Sequence, residues 1–371
     1  MKASTSESTF QSRLERARAE MARTGVDALI LSLGHDLPYL TGYLAMPLER
    51  LTLLVVPRDG EASLIIPRLE APRVTEMPSV FSLATWNETD DPVALAHKLL
   101  GAARTIAVGD QMWSRFLVDL LKFRPDAKYV RSVVVMEALR SRKDAAEIAA
   151  LVAAGAAADR VAAQLQGGEI ALVGRTEAQV SADISARLLA EGHQVVNFAI
   201  VAAGENAASP HHHAGDRVIR FGEIVLCDFG GTMNDYCSDI TRCVHLGEPP
   251  SDIAEAYNVL FESQAAGVAA GIVGSSCAGV DAASRGVIDA AGFGEWFVHR
   301  TGHGIGMEAH EDPYMVAGNE TPIAAGHAYS VEPGIYIPGK WGMRLEDIVV
   351  ATENGPQPVN HVNHHLVVLD R

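Results

Sequence analysis

Apolar residues recur at helical spacing through Phe10, Leu14, Ala17 and Met21, and Gly25 follows where such a helix would close. Beyond it, short apolar runs at residues 28–33, 51–57, 62–67 and 105–108 have the length and flanking turn residues of buried strands. Helix and strand thus alternate over the first third of the chain, which predicts a small α/β domain. It ends near residues 129–136, and the charged stretch from Arg140 to Lys143 reads as an exposed connector. The predicted boundary separates residues 1–138 from residues 139–371.

The pattern then changes to long alanine-rich helices. Asp144 with Glu147 three residues on predicts a capping box, and Thr176 with Gln179 predicts a second, its helix stopping at Gly192. Strand-like runs follow at 195–202, 223–230 and 236–245. The order then repeats, with a helix from about Asp252, another over 280–291 closed by Gly292, and strands near Phe297, at 327–331 and at 344–351. Two helices followed by strands, twice over, predict an α+β domain made of two related halves. The segments from Gly222 to Gly230 and from Gly326 to Gly334 share a local shape, a glycine, five residues, an acid and then x-Gly, which places Asp228 and Glu332 each at the end of a buried strand.

Composition narrows the field. With a formal net charge of −16 over 371 residues, the chain is a poor partner for a phosphate backbone, and nucleic acid is excluded. Residues 1–9 carry no apolar core of a secretory signal, and no apolar run of membrane-spanning length is apparent elsewhere, so no membrane partner and a cytoplasmic location are expected. Cys227, Cys237, Cys243 and Cys277 form no Cys-x-x-Cys pair and read as reduced, buried residues.

The second half concentrates carboxylates and histidines. Asp228 and Asp239 belong to one repeat, Glu332 and Glu346 to the other, and a pseudo-twofold arrangement would bring all four together. Carboxylates on apolar strands are costly unless neutralised, and four of them with an imidazole suit two divalent ions about 3.5 Å apart, which together can activate a water. Mn²⁺ is the first expectation, with Co²⁺ or Zn²⁺ as alternatives. The imidazole comes from His299-Arg300-Thr301-Gly302-His303-Gly304-Ile305-Gly306, where three glycines around His303 indicate close backbone packing in a strand or tight loop. A second histidine run, His211-His212-His213 after Pro210, lies in a loop before the Asp228 strand. Two lookalikes fail. Asp228-Phe229-Gly230 has no phosphate loop to accompany it, and His310-Glu311-Asp312-Pro313-Tyr314 has Tyr314 in place of a zincin's second histidine.

The set Asp228-Phe229-Gly230, Ser238-Asp239-Ile240-Thr241-Arg242, Gly302-His303-Gly304-Ile305-Gly306, Glu332-Pro333-Gly334-Ile335-Tyr336 and Arg344-Leu345-Glu346-Asp347 resembles the signature of the pita-bread metallopeptidases. It is most similar to the Xaa-Pro dipeptidase (prolidase) and aminopeptidase P branch, because a creatinase-like domain precedes it. The resemblance implies an α/β N-terminal domain followed by an α+β pita-bread domain with internal pseudo-twofold symmetry. It implies Asp239 and Glu346 as bridging ligands, Asp228 on one ion, and His303 with Glu332 on the other. Glu332 matches the acid that handles the water's proton. His310 and His211 match catalytic histidines, and His299 and Arg344 match residues that orient the ligands.

The implied reaction is hydrolysis of the Xaa-Pro bond, with a dipeptide carrying proline in second place as substrate and a homodimer as the acting form. The alternatives are aminopeptidase P action on longer peptides and a non-catalytic binding module. His212 and His213 are expected to be solvated loop residues, and His327, His361, His364 and His365 structural or surface groups. Asp235 is expected in a turn. The loop over residues 34–47, with His35 and Asp36, could narrow the site but reads more simply as solvated. Activity is expected to fall on the acid side as imidazoles protonate near their reference pKa of about 6.5.

Overall fold

The computed structural model describes residues 5–370 and divides between Arg140 and Ser141 into two compact units. The first contains α1 (Glu7–Thr24), β1 (Ala28–Leu31), α2 (Asp36–Thr41), β2 (Leu53–Pro57), β3 (Ser63–Pro67), β4 (Ser82–Trp86), α3 (Pro92–Leu99), β5 (Thr105–Val108), α4 (Ser114–Phe123), β6 (Lys128–Arg131) and α5 (Val133–Arg140). Its six strands form one mixed sheet in the order β4-β3-β2-β1-β5-β6. Phe10, Leu14, Ala17 and Met21 are buried as their spacing predicts, and Gly25 closes α1 in the left-handed conformation with φ 71°. The four predicted strands form, each within two residues of its predicted bounds.

Two expectations here need correction. Residues 34–47 are not simply a solvated loop, because Asp36 opens α2, pairs with Arg140 at 2.7 Å and accepts a hydrogen bond from Ser132. Nor is the stretch from Arg140 to Lys143 an exposed connector. The Lys143 side chain is 1% exposed and bonds Glu311, 168 residues away, at 2.6 Å.

The second unit contains α6 (Ala145–Gln166), α7 (Glu177–Ala190), β7 (Val195–Ala203), β8 (Ile224–Met233), β9 (Tyr236–Cys237), β10 (Ile240–Leu246), α8 (Ser251–Ala270), α9 (Cys277–Ala290), β11 (Gly302–Gly304), β12 (Glu311–Met315), β13 (Ala328–Val331), β14 (Gly334–Ile337), β15 (Trp341–Arg344), β16 (Asp347–Thr352), β17 (Gly355–Pro358) and β18 (Val367–Leu369). Both predicted capping boxes are present, at Asp144 with Glu147 and at Thr176 with Gln179. The helix α6 is long and apolar enough to cross a membrane by length and composition, which corrects the expectation that no such run exists. It lends Ala158, Val161, Ala162 and Leu165 to a core shared with α7, β8 and β10.

The two-halved architecture is plain in the sheets. One runs β18-β10-β8-β7 with β9 on β8, and the other β12-β11-β13-β16-β17. In each half the residue capping the second helix forms an isolated bridge to the approach of the following strands, Thr176 to Val218 and Ser276 to Pro322. The halves are joined at a bridge between Thr241, in β10, and Glu346, just ahead of β16. Two strand predictions fail in detail. Asp228 lies within β8 and not at its end, and no strand forms at Phe297, which follows a short 3₁₀ turn and packs into an apolar core. Asn234 and Asp235 form the tight turn between β8 and β9, with φ of 51° and 69°.

Candidate metal centre

Five acidic and imidazole side chains converge where the halves meet. Asp228 comes from β8, Asp239 from the residue before β10, His303 from the middle of β11, Glu332 from the residue after β13, and Glu346 from the break between β15 and β16. The close approach that exposes His303 to the carboxylates depends on its glycine neighbours. A Cβ at Gly302 would meet the Ser330 carbonyl oxygen at 1.9 Å, and one at Gly304 the Asp312 carbonyl oxygen at 2.4 Å.

Three overlapping sets have ligand atoms mutually within 4.8 Å: Asp228, Asp239 and Glu346; His303, Glu332 and Glu346; and Asp239, His303 and His310. His303 Nδ1 donates to the Gly304 carbonyl at 3.1 Å, which turns Nε2 toward the acids. That nitrogen lies 3.2 Å from Glu332 and 3.8 Å from Asp239. Ser330 Oγ accepts from the His303 amide at 3.0 Å and donates to Glu332 at 3.0 Å, fixing both residues from one side. Thr241 Oγ1 donates to Glu346 at 2.6 Å and accepts from Arg344 Nε at 3.0 Å.

The electrostatics call for cations. Burial raises the pKa of Asp239 and Glu346 well above the carboxylate range, reinforced at Asp239 by Glu346 and Asp228 and at Glu346 by Glu332 and Asp228. Asp228 is raised chiefly by burial too, although Arg344 bonds its Oδ2. Its Oδ1 is buried without a hydrogen-bond partner among the described residues. An orphaned carboxylate oxygen amid further acids is what a divalent ion would satisfy, and the oxygen and nitrogen donors fit Mn²⁺, Co²⁺ or Zn²⁺. Burial opposes ionisation of Glu332, but its hydrogen bond to His303 and that group's charge hold its pKa down at about 2.

The centre opens onto a cleft of about 830 Å³. His310 faces it, its ring centroid 3.9 Å from that of His303, and desolvation with the neighbouring His303 lowers its pKa to about 4. This corrects the expectation that His310 protonates near 6.5. His211 also lines the cleft. His299 sits behind the cluster, its Nδ1 donating to the Arg300 carbonyl at 2.7 Å and its Nε2 accepting from Tyr336 at 2.9 Å, while Tyr336 accepts from Arg344 at 2.8 Å. All nine residues singled out from the sequence line this one cleft.

His212 departs from its expected place among solvated residues. Its Nε2 lies 2.8 Å from Glu177, a fully buried carboxylate that also accepts from the Ala203 amide and from Asn206. His213 is exposed, His365 stacks on Phe261, and His364 bonds Asp347. Thr241, Ser330 and Tyr336 carry bonds that orient the clustered side chains and that sequence reasoning missed. Thr241 and Tyr336 stood inside the quoted motifs, whereas Ser330 gave no signal of its own.

Comparison with known proteins follows this geometry. Residues 143–353 match the metallopeptidase family M24, and residues 13–142 match the creatinase/prolidase N-terminal domain. The probable dipeptidase PepE of Mycobacterium tuberculosis (strain ATCC 25618 / H37Rv) is 44% identical over 368 residues, 97% of this chain and 96% of that protein. The crystal structure of dipeptidase PepE from Mycobacterium ulcerans superposes with a TM-score of 0.93 at 44% identity, covering 98% of this chain and 99% of that one. The Xaa-Pro dipeptidase from Bacillus anthracis superposes with a TM-score of 0.88 at 29% identity, covering 97% and 100%.

Proposed function

The chain belongs to the M24 metallopeptidases, and from that premise we propose that it hydrolyses Xaa-Pro dipeptides with two divalent metal ions held in the second unit, residues 139–371 acting as the catalytic domain. The observation that carries this reading is the convergence of Asp228, Asp239, His303, Glu332 and Glu346 in overlapping donor sets beside an orphaned carboxylate oxygen. The dipeptide preference is supported by relatives named dipeptidase and Xaa-Pro dipeptidase. Mn²⁺ is the proposed metal, with Asp239 and Glu346 as the bridging carboxylates. When bound, two such ions acidify water and polarise a carbonyl.

The chain's own groups divide the remaining work. Glu332 Oε1 accepts from Ser330, which orients the carboxylate, and Glu332 would take up the proton leaving the water. His310 is neutral above about pH 4, keeps one N–H, and would donate it to the oxygen of the substrate carbonyl as charge develops there. His211 would do acid–base or positioning work from the opposite loop. His299 and Arg344 hold the ligands through Tyr336, Thr241 and Asp228. Four buried cysteine thiols and a net charge of −16 support a cytoplasmic enzyme acting on small peptides, and a homodimer is the proposed acting form. The test is a hydrolysis panel on chelated and Mn²⁺-reconstituted protein. Ala-Pro should be cleaved only after reconstitution and faster than Ala-Pro-Ala. Faster cleavage of the tripeptide would move the assignment to aminopeptidase P action, and no cleavage of either by metal-loaded protein would remove the peptidase reading.

A further inference from the structure

We propose that the buried pair of Glu177 and His212 is a positioning device, a staple that holds the loop carrying His211 so that His211 meets the substrate. This rests on the peptidase reading and on the place given there to His211, and deepens both. His211 lines the cleft from an exposed loop and makes no hydrogen bond of its own among the described residues. An exposed imidazole without such bonds takes its place from the backbone on either side, so whatever holds that backbone decides where the ring reaches.

Both ends of the surrounding segment are fastened to one carboxylate. Glu177, the first residue of α7, is fully buried. Its Oε1 accepts from the Ala203 amide at 2.9 Å, its Oε2 from His212 Nε2 at 2.8 Å, and both accept from Asn206 Nδ2 at 3.1 Å. A carboxylate offers only acceptors, so His212 Nε2 carries the proton of that bond. Between Asn206 and His212 the chain turns twice, the Ser209 amide donating to the Asn206 carbonyl and the His212 amide to the Ser209 carbonyl, each at 3.1 Å. Residues 206–212 thus form a closed loop on Glu177, and His211 sits beside its fastened end. The bond from Arg344 to the Pro210 carbonyl is long, at 3.4 Å, and a weaker hold on the same stretch.

The other half of the domain shows that the scaffold does not require a carboxylate at this place. Cys277 opens α9 as Glu177 opens α7, and the two amides donate to the Thr321 and Arg217 carbonyls, each at 3.0 Å. One residue on, Ala278 and Ala178 donate to the Asn319 and Gly215 carbonyls at 2.8 and 3.0 Å. On the same backbone frame, the second half places Cys277 in an apolar cluster. A helix N-terminus favours an acid in its first turn, but a solvated one would serve that end. Burying the charge is costly unless its oxygens are engaged, and Asn206 and His212, which engage them here, both belong to the loop. The run His211-His212-His213 occurs only in the half that buries the acid.

The test measures kcat and KM on Ala-Pro for Mn²⁺-loaded His212→Ala, Glu177→Gln and His212→Gln, the first two also combined with His211→Ala. His212→Ala and Glu177→Gln should each retain metal and lower kcat roughly 10- to 100-fold, the scale of a displaced reacting group, with KM changing less. His212→Gln, whose amide can replace the Nε2 donor, should recover most of the rate. A group that acts through His211 has nothing left to place once His211 is gone, so in the His211→Ala background the same substitutions should change kcat by less than about twofold. Amide hydrogen exchange gives a readout independent of turnover. His212→Ala should speed exchange in residues 209–214 and leave β8 as in the wild type. Wild-type kcat in both single variants, or the same fractional loss with and without His211, overturns the inference, since the pair would then be structural only. Unchanged exchange in residues 209–214 overturns the staple whatever the substrate. If His211→Ala alone keeps the wild-type kcat, the role given to His211 fails and this inference with it, whereas a metal-loaded wild type that cleaves no Xaa-Pro peptide overturns the peptidase reading itself.

Discussion

Replacing Arg242 by methionine tests the joint that brings the two halves' acids together. Arg242 is fully buried, and its guanidinium donates to the carbonyls of Thr241 at 2.9 Å, Glu346 at 2.6 Å, Asn363 at 3.1 Å and Val362 at 3.2 Å, besides the Asp347 carboxylate at 2.7 Å. Thr241 and Glu346 are the bridged pair that joins the halves, so one side chain supports the joint from behind. Methionine fills similar volume but leaves Asp347, itself 2% exposed, without its main cation. Removing one partner of a buried ion pair costs about 3–5 kcal/mol. Gln264 and His364 remain on the other Asp347 oxygen, which favours the lower end, about 3 kcal/mol. Urea unfolding of the second unit, followed by fluorescence of Trp296 and Trp341, would measure it. Arg242→Met with Asp347→Asn should recover at least about 1 kcal/mol of the loss, since the stranded charge is gone. A single variant within about 1 kcal/mol of wild type, or a double variant no more stable than the single, would refute this account of the joint.

His310→Ala and His211→Ala should retain metal while kcat falls about 10²-fold or more, as measured by metal analysis and steady-state kinetics on one preparation. His212→Ala, which strips a hydrogen bond from the buried Glu177, should cost about 1–3 kcal/mol in a melting or denaturant assay, whereas the exposed His213→Ala should be silent. Burial, with Lys143 and Arg142 nearby, lowers the pKa of His327 to about 4. A folded value below the unfolded 6.5 means that its stabilising contribution is complete above about pH 6.5 and is lost as pH falls toward 4, about 3 kcal/mol in all. His327→Gln should flatten the stability–pH curve across that window, and an unchanged slope would contradict the assignment.

Local signals made much of the fold legible in the sequence. Capping boxes at Asp144 and Thr176 mark their helices because the partner lies three residues on, and Gly25 marks the end of α1 by a conformation other residues resist. Of the clustered acids, Asp228 and Glu332 stood out because each falls in a short motif repeated between the halves, whereas Asp239 and Glu346 were picked out by the motifs that carry the family resemblance. What escaped depends on partners distant along the chain. Lys143 looked exposed because Glu311 is 168 residues away, and His212 looked solvated because Glu177 lies 35 residues earlier. Asp228 proved to be within a strand because β8 continues past it to the turn at Asn234 and Asp235, whose positive φ lets the hairpin close.

The central claim is that the buried acids and His303 hold two catalytic metal ions. It is tested most directly by counting metal in wild-type and Asp239→Ala protein, each chelated, reconstituted with Mn²⁺, desalted and assayed on Ala-Pro from the same preparation. The account predicts about two ions per wild-type chain, fewer than about one in Asp239→Ala, and activity that falls with the metal. Full Ala-Pro hydrolysis by protein shown to be metal-free, or retention of both ions by Asp239→Ala, would contradict it.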